Sequence, residues 1–300
     1  MRSLKNFLKT SAFSLLGLGL LTAPAHAVNI TTTSNPNVLV NNILGSGITV
    51  SNATYNGASV ASGTFTGGLA SGIGIEQGII LTTGDANLAV GPNNDDSARR
   101  DNGLPGDADL NALVGGSNTF DASVLAFDFT STTGNLLFNY VFASEEYNEY
   151  VNTDFNDVFG FFLDGENIAL IPGTNTPVSI NTVNGGNPLG TDATNPQLFN
   201  NNSPEDGEPL YNIQYDGFTK VFQIKIQGLS TGRHRIKLAI ADRQDRLYDS
   251  AVFIQAGTFS GEPPRDVPEP TTILGVLASA AFGATSLRKR QQQQKLVNKA

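Results

Sequence analysis

The clearest indication of fold in this chain is the run His234-Arg235-Ile236-Lys237-Leu238-Ala239-Ile240-Ala241. Apolar and polar positions alternate along it, so an extended strand would bury one face and wet the other. Residues 221–226 repeat the alternation. Other short segments rich in Val, Ile and Phe are separated by turn residues and are also predicted strands: residues 78–82, 124–129, 136–142, 158–163, 168–171 and 250–256.

Short strands at this spacing predict an all-β fold, namely a single jelly-roll-like β-sandwich over residues 28–260. We find no helical periodicity between residues 28 and 261, and no internal repeat. Two long polar stretches, residues 84–120 and 184–217, interrupt the strands. Loops of this length in a compact domain tend to be functional.

The first 27 residues have the order of a secretory signal peptide. A basic start precedes an apolar run at residues 12–21 and a small-residue site at Ala25 and Ala27. The run is about half of the roughly 20 residues that a membrane-spanning helix needs. Cleavage after Ala27 would start the mature protein at Val28.

The C-terminal end carries a second targeting pattern. Residues 261–270 form a Pro-rich linker that ends in Val267, Pro268, Glu269 and Pro270. An apolar segment at residues 271–290 closes with the basic residues Arg288, Lys289 and Arg290. We interpret this segment as a transmembrane sorting helix with a basic stop, and residues 291–300 as a cytoplasmic tail, because basic flanks stay in the cytoplasm.

This order of Pro-Glu-Pro, apolar helix and basic stop resembles the PEP-CTERM sorting signal. The resemblance implies that an exosortase-type processing enzyme recognises the Pro-Glu-Pro segment, removes the helix and releases or re-anchors the protein. The protein would then be held transiently in the inner membrane before processing. Afterwards it would reside at the cell surface or in the extracellular matrix.

Composition excludes several classes of function. Residues 28–270 hold all 27 acidic residues and 10 of the 18 basic ones, a net charge near −17. Such a charge opposes binding to nucleic acid. The chain has no Cys, and of its two His residues only His234 would remain in the mature protein. Thiol chemistry is therefore impossible, and a catalytic zinc site is disfavoured.

Carboxylates concentrate in two loops between apolar strands. If the strands at residues 136–142 and 158–163 pair as a hairpin, Glu145 and Asp157 lie at one sheet edge. Asp242 and Asp249 flank the second loop in the same way. These four residues are our candidate metal ligands, because hard Ca²⁺ takes six to eight oxygen ligands. The alternative is a solvated acidic face with salt bridges from nearby Arg side chains; we expect no other cofactor.

The region also resembles the choice-of-anchor L domain, a family of exported bacterial proteins that carry different C-terminal anchors. The resemblance spans about residues 78–259. It lies in Gly106-Asp107, Asp121-Ala122-Ser123-Val124-Leu125, Tyr140-Val141-Phe142-Ala143-Ser144-Glu145-Glu146-Tyr147, Asn156-Asp157-Val158-Phe159-Gly160-Phe161, Ala239-Ile240-Ala241-Asp242 and Tyr248-Asp249-Ser250-Ala251-Val252-Phe253. It implies an exported surface protein and assigns no activity.

These observations favour a non-enzymatic adhesive or binding module, with extracellular polysaccharide as a candidate partner. The alternative is an exported carbohydrate-active hydrolase that uses carboxylates as acid and base. A Ser-His-Asp hydrolase would need His234 as its base, and no Gly-x-Ser-x-Gly motif accompanies it. Tyr147, Tyr150, Phe155 and Tyr248 flank the acidic loops, either as sugar-stacking platforms or as packed loop anchors.

Overall fold

A computed structural model describes residues 26–263. The strands are β1 (Asn29–Thr32), β2 (Ile48–Asn56), β3 (Ser62–Thr66), β4 (Gln77–Thr82), β5 (Thr119–Ser131), β6 (Asn135–Ser144), β7 (Val158–Leu163), β8 (Glu166–Asn167), β9 (Phe199–Asn201), β10 (Gly217–Thr219), β11 (Phe222–Gln227), β12 (His234–Arg243) and β13 (Ser250–Gln255). The helices are α1 (Pro36–Ile43), α2 (Gly68–Ser71) and α3 (Ala108–Leu113). Within this part of the chain, no helix is long and apolar enough to cross a membrane.

Both targeting signals fall largely outside the described residues. This applies to most of the signal peptide, including Ala25, to the sorting motif Val267, Pro268, Glu269 and Pro270, to the sorting helix, and to the basic stop Arg288, Lys289 and Arg290.

The predicted all-β sandwich is confirmed. The large sheet has eight strands, in the order β1-β3-β4-β13-β6-β10-β9 with β11 also paired to β6. The small sheet has five, in the order β2-β5-β12-β7-β8. Between them lies the main apolar core, in which the rings of Phe138, Phe142, Phe159 and Phe161 contact one another.

Most predicted strands are present. Burial alternates along β11, whereas in β12 it alternates only as far as Lys237, and residues 238–242 are all buried. The prediction of a strand at residues 168–171 is wrong. β8 ends at Asn167, whose side-chain oxygen accepts hydrogen bonds from the backbone of Phe161 and Ala169. Pro172 and Pro177 follow and cannot donate to a ladder, so only isolated bridges form there.

The domain also contains short helices, although its sequence shows no helical periodicity. α1 begins after Asn35, whose side chain caps the N–H of Asn37 at 3.0 Å, and Pro36 occupies the first turn. It buries Leu39, Val40 and Ile43 against the core. Eight residues give too few turns for this short apolar stripe to stand out as a period.

The expected hairpin between residues 136–142 and 158–163 does not form. β6 belongs to the large sheet and β7 to the small sheet, and β12 and β13 are divided in the same way. Both acidic loops, residues 145–157 and 244–249, therefore cross between the sheets. The two crossings lie at the same end of the sandwich, because Ser144 pairs with Ser250 and Val158 pairs with Ala241. We name this the acidic end.

The chain enters and leaves the domain at the opposite end. Asn29 of β1 pairs with Thr66, and Thr66 pairs with Gln77 at the start of β4. The next residue of β4, Gly78, pairs with Gln255, the last residue of β13. The start of β1 and the exit after β13 therefore share the end that lies away from Ser250.

Candidate functional site

Three carboxylates lie side by side where three neighbouring strands of the large sheet meet the acidic end. Ser144 of β6 pairs with Ser250 of β13 and with Gly217 of β10. The next residue toward the acidic end is acidic on each strand. Alternation places these side chains on the outer face of the sheet, the face of the second apolar cluster. We name them the outer group: Glu145, Asp216 and Asp249.

Two further carboxylates occupy the corresponding place on the small sheet. Ala241 of β12 pairs with Val158 of β7, so Asp242 and Asp157 are neighbours just beyond that pair. Asp157 faces the space between the sheets, because its Oδ2 accepts a hydrogen bond of 2.7 Å from the Ser250 hydroxyl of the large sheet. This bond joins the two sheets at the acidic end.

Glu146 adds a third carboxylate to that interior. It follows Glu145 in the bend just beyond β6, and its backbone N–H donates to the Ser144 hydroxyl at 2.9 Å. After desolvation, the main effect that raises the pKa of Glu146 is repulsion from Asp157. For Glu145 it is repulsion from Asp216. We name Glu146, Asp157 and Asp242 the inner group.

All six side chains are at most 1% exposed, and most of their oxygens have no partner. Both carboxylate oxygens of Glu145 and of Glu146 lack a hydrogen bond, and so does one oxygen in each of Asp216, Asp242 and Asp249. Among residues 26–263, no basic side chain forms an ion pair with any of the six. A buried carboxylate without compensation costs several kcal/mol, so the cluster requires protons or a cation.

Burial raises the pKa of every member of the two groups. Desolvation is the largest cause in each case, and repulsion between the carboxylates adds to it. The pKa is raised to about 7 for Asp249, to about 8 for Asp157 and Asp216, and to about 10 for Glu146, and it lies well above its ordinary value for Glu145 and Asp242. Without a cation, much of the cluster is therefore protonated at neutral pH.

The nearby Arg side chains pair elsewhere. Arg243 contacts Asp154 at 3.5 Å, and Arg246 lies 3.7 Å from both Asp101 and Asp121. Asp121 is buried at a bulge of β5 with φ of 47°, and it accepts hydrogen bonds from two backbone N–H groups of the 84–120 stretch. The salt bridges expected in the alternative interpretation therefore satisfy Asp121 and leave both groups without a basic partner.

One glycine is required by the packing of the outer group. A Cβ placed on Gly84 would lie 1.6 Å from Oδ2 of Asp249. Oδ1 of the same carboxylate accepts from the backbone N–H of Arg100 at 3.1 Å. The long polar stretch after β4 therefore closes directly over Asp249.

The four predicted ligands all lie at the acidic end, Glu145 and Asp249 in the outer group and Asp157 and Asp242 in the inner group. The structure adds Glu146 and Asp216, which we had not predicted. In their present rotamers, no three Asp, Glu or His side chains of residues 26–263 converge closely enough to hold a metal ion. A cation would therefore require rotation of these side chains toward a shared centre.

The aromatic residues near the acidic end serve mainly as packed anchors. Tyr147 is fully buried, and its hydroxyl donates to the carbonyl oxygen of Val183 at 2.8 Å. The ring of Tyr150 contacts those of Phe155 and Tyr248, with centroids 5.2 and 5.1 Å away. These contacts favour the loop-anchor interpretation over a stacking platform.

His234 lies at the opposite end of the sandwich in a Ser-His-Asp arrangement. Its Nδ1 is 2.6 Å from Oδ2 of Asp164, and its Nε2 is 3.1 Å from the Ser230 hydroxyl and 3.2 Å from the Ser230 carbonyl oxygen. The hydrogen bond with Asp164 is the main cause of the raised pKa of His234. The Ser230 carbonyl oxygen can only accept a hydrogen bond, so its contact with Nε2 fits a proton on that nitrogen, and a nitrogen that carries a proton cannot take one from the Ser230 hydroxyl.

A shallow groove of about 180 Å³ lies on the outer face of the small sheet and includes Phe162, Asp164 and Lys237 in its lining. Lys237 forms ion pairs with Asp107, at 2.7 Å, and with Asp109. The groove holds none of the six buried carboxylates. The ammonium group of Lys237 in this groove is therefore already paired.

Comparison with known proteins gives one match. No functionally curated protein and no solved structure matches the chain. The Choice-of-anchor L domain matches residues 27–260, which include every strand described above and all six buried carboxylates. The match indicates an exported protein of the cell surface, and the chain belongs to the Choice-of-anchor L domain family.

Proposed function

We propose that this protein is a non-enzymatic binding module of the cell surface whose acidic end takes up Ca²⁺. The observation that carries the proposal is the set of six buried carboxylates without a basic partner. Protons compensate such a cluster only while its pKa values exceed the pH. A divalent cation compensates it at any pH at which the carboxylates ionise.

Ligand chemistry favours Ca²⁺ over other metals. The donors are carboxylate oxygens, with amide oxygens of Asn and Gln side chains close by. The amide nitrogen of Asn93 donates to Oδ1 of Asp216 at 2.7 Å, so this amide would have to turn over for its oxygen to become a ligand. The chain has no Cys, and the one His between residues 28 and 263, His234, lies at the opposite end of the sandwich. Both facts disfavour zinc. Mg²⁺ dehydrates reluctantly and demands an octahedral site, so it should bind more weakly.

Burial also argues against the alternative of a carbohydrate-active hydrolase. An acid/base pair must reach the glycosidic oxygen of its substrate. Glu145, Glu146 and Asp157 are 0% exposed, so a sugar cannot reach their carboxylates. The exposed part of this end carries acidic side chains such as Asp95, Asp96 and Glu205. These would raise the local concentration of cations and attract polymers bridged by them.

Sorting by an exosortase remains part of the proposal and rests on the sequence of the tail. The Pro-Glu-Pro motif would be recognised while the apolar segment holds the protein in the inner membrane. Processing would then deliver the domain to the surface or the matrix. Extracellular polysaccharide is the proposed partner.

The experiment is a binding screen of the mature protein against bacterial polysaccharides and matrix polymers, in Ca²⁺ and in a chelator. We expect binding that the chelator removes and that Glu145→Gln weakens, with Glu208→Gln as the exposed control. Glycan hydrolysis by the purified protein, abolished by Glu145→Gln, would refute the proposal.

A further inference from the structure

The six buried carboxylates divide into two sets on opposite faces of the large sheet. The outer group lies on the face of Phe218 and Phe253, beneath the 84–120 stretch and the segment that precedes β10. The inner group lies between the sheets, where the Ser250 hydroxyl contacts Asp157. The dipeptide Glu145-Glu146 contributes one carboxylate to each set.

Each set contains its own buried and unpartnered oxygens. Both oxygens of Glu145 lack a partner in the outer group, as do one of Asp216 and one of Asp249. In the inner group both oxygens of Glu146 and Oδ1 of Asp242 lack one. Each face of the sheet therefore has its own buried carboxylates that need a compensating ligand.

Charge and geometry argue against one ion serving both sets. A single Ca²⁺ neutralises two of the six carboxylates and two ions neutralise four, so fewer buried carboxylates must stay protonated when both faces hold an ion. The ends of β6 and β13 also lie between the sets, joined by the hydrogen bond from Glu145 N to the Asp249 carbonyl oxygen at 3.1 Å. An ion on one face would have this backbone between itself and the carboxylates of the other.

We infer that the acidic end binds two divalent cations, one at Glu145, Asp216 and Asp249 and the other at Glu146, Asp157 and Asp242. The inference rests on the proposed function and adds the number and the place of the ions. The outer ion would fasten the two long polar segments onto the large sheet. The inner ion would fasten the two sheets to each other.

The two positions differ in what they connect, so they should be separable by substitution. The outer position depends on β6, β10 and β13, whereas the inner position depends on β12 and on the residues that flank the 145–157 crossing. Loss of an outer ligand should leave the inner ion bound, and the reverse should also hold. Oxygens from Asn side chains, backbone and water would complete each shell.

The test is the Ca²⁺ stoichiometry of the mature protein, measured by equilibrium dialysis and by native mass spectrometry. We expect two ions per chain in the wild type, one in Glu145→Gln or Asp216→Asn, one in Glu146→Gln or Asp242→Asn, and none when one substitution from each group is combined. Glu208→Gln should retain both ions. Circular dichroism in chelator identifies folded variants, and each group offers two, so one unstable variant does not remove the test.

The outcomes separate this inference from the proposed function. One ion per chain, lost in outer and inner variants alike, would overturn the two-site inference and leave a calcium-binding module in place. One ion lost only in the variants of a single group would also overturn it. No bound Ca²⁺ in the wild type would overturn both, and the carboxylates would then be compensated by protons alone.

Discussion

Replacing Glu145 by Gln should change the thermal stability in opposite directions with and without calcium. In chelator, burial raises the pKa of Glu145 well above its ordinary 4.5 and so favours the neutral acid in the native state, whereas the unfolded chain favours the ionised form. Keeping the group neutral at pH 7.5 therefore lowers the stability of the native state, because the unfolded chain gains free energy by ionising it. The neutral amide of Gln avoids the cost, so the variant should melt at a higher temperature than the wild type.

In calcium the order should reverse. A cation that binds only the native state adds about 2.7 kcal/mol at a hundredfold excess over Kd. A domain of this size shifts by roughly 2–4 °C per kcal/mol, so one occupied position should raise Tm by about 5–10 °C and two by about twice that. Glu145→Gln loses the outer part of this gain.

The assay is differential scanning calorimetry of both proteins in chelator, in millimolar Ca²⁺ and in NaCl of equal ionic strength. Screening alone would act through ionic strength, and the Ca²⁺ and NaCl curves would then coincide. That coincidence would refute the reasoning. A variant that melts lower than the wild type by the same amount in every buffer would show that Glu145 is only a packing residue.

The remaining predictions concern protons, packing, the second polar network and sorting. In chelator, the stability measured by urea titration should fall as the pH rises from 5 to 8, because the pKa of Asp157 and of Asp216 is raised to about 8. The native state binds more protons than the unfolded chain in that window, so each group costs about 1.4 kcal/mol per pH unit. Ca²⁺ should flatten this slope. Gly84→Ala should displace the Asp249 carboxylate and lower both Tm and the calcium shift, measured by the same calorimetry. His234→Gln should cost about 1 kcal/mol in urea unfolding and leave polymer binding intact, whereas loss of binding would assign it a functional role. Glu269→Ala should leave the unprocessed protein in the inner membrane fraction, and normal maturation would count against exosortase processing.

The alternation in residues 221–226 and 234–241 was enough to predict both strands. It also predicted the buried face of β11, which has one wetted side, but not that β12 is buried on both faces beyond Lys237. The same reasoning could not assign β6 and β7 to different sheets. Val158–Leu163 is buried along its whole length, so its sequence carries no sign of which strand lies beside it. Which strands pair with each other is decided by packing across the whole sandwich.

The candidate site was predicted in part for a similar reason. Glu145, Asp157, Asp242 and Asp249 each adjoin a strand that the sequence reveals. Asp216 precedes β10, which has three residues within a long polar stretch and leaves no periodic signal. Glu146 was visible as a neighbour of Glu145, but only the fold shows that the two carboxylates enter different environments.

The points at which the chain enters and leaves the domain determine how a tether would orient it. The segment toward the sorting tail leaves after β13, at the end opposite the carboxylates. A tether there would hold the acidic end outward, and tension between tether and bound polymer would run along β13. That strand lies between β4 and β6, and its hydrogen bonds are perpendicular to such a pull, so they would be loaded together in shear. A pull of this kind would have to break both ladders of β13 at once.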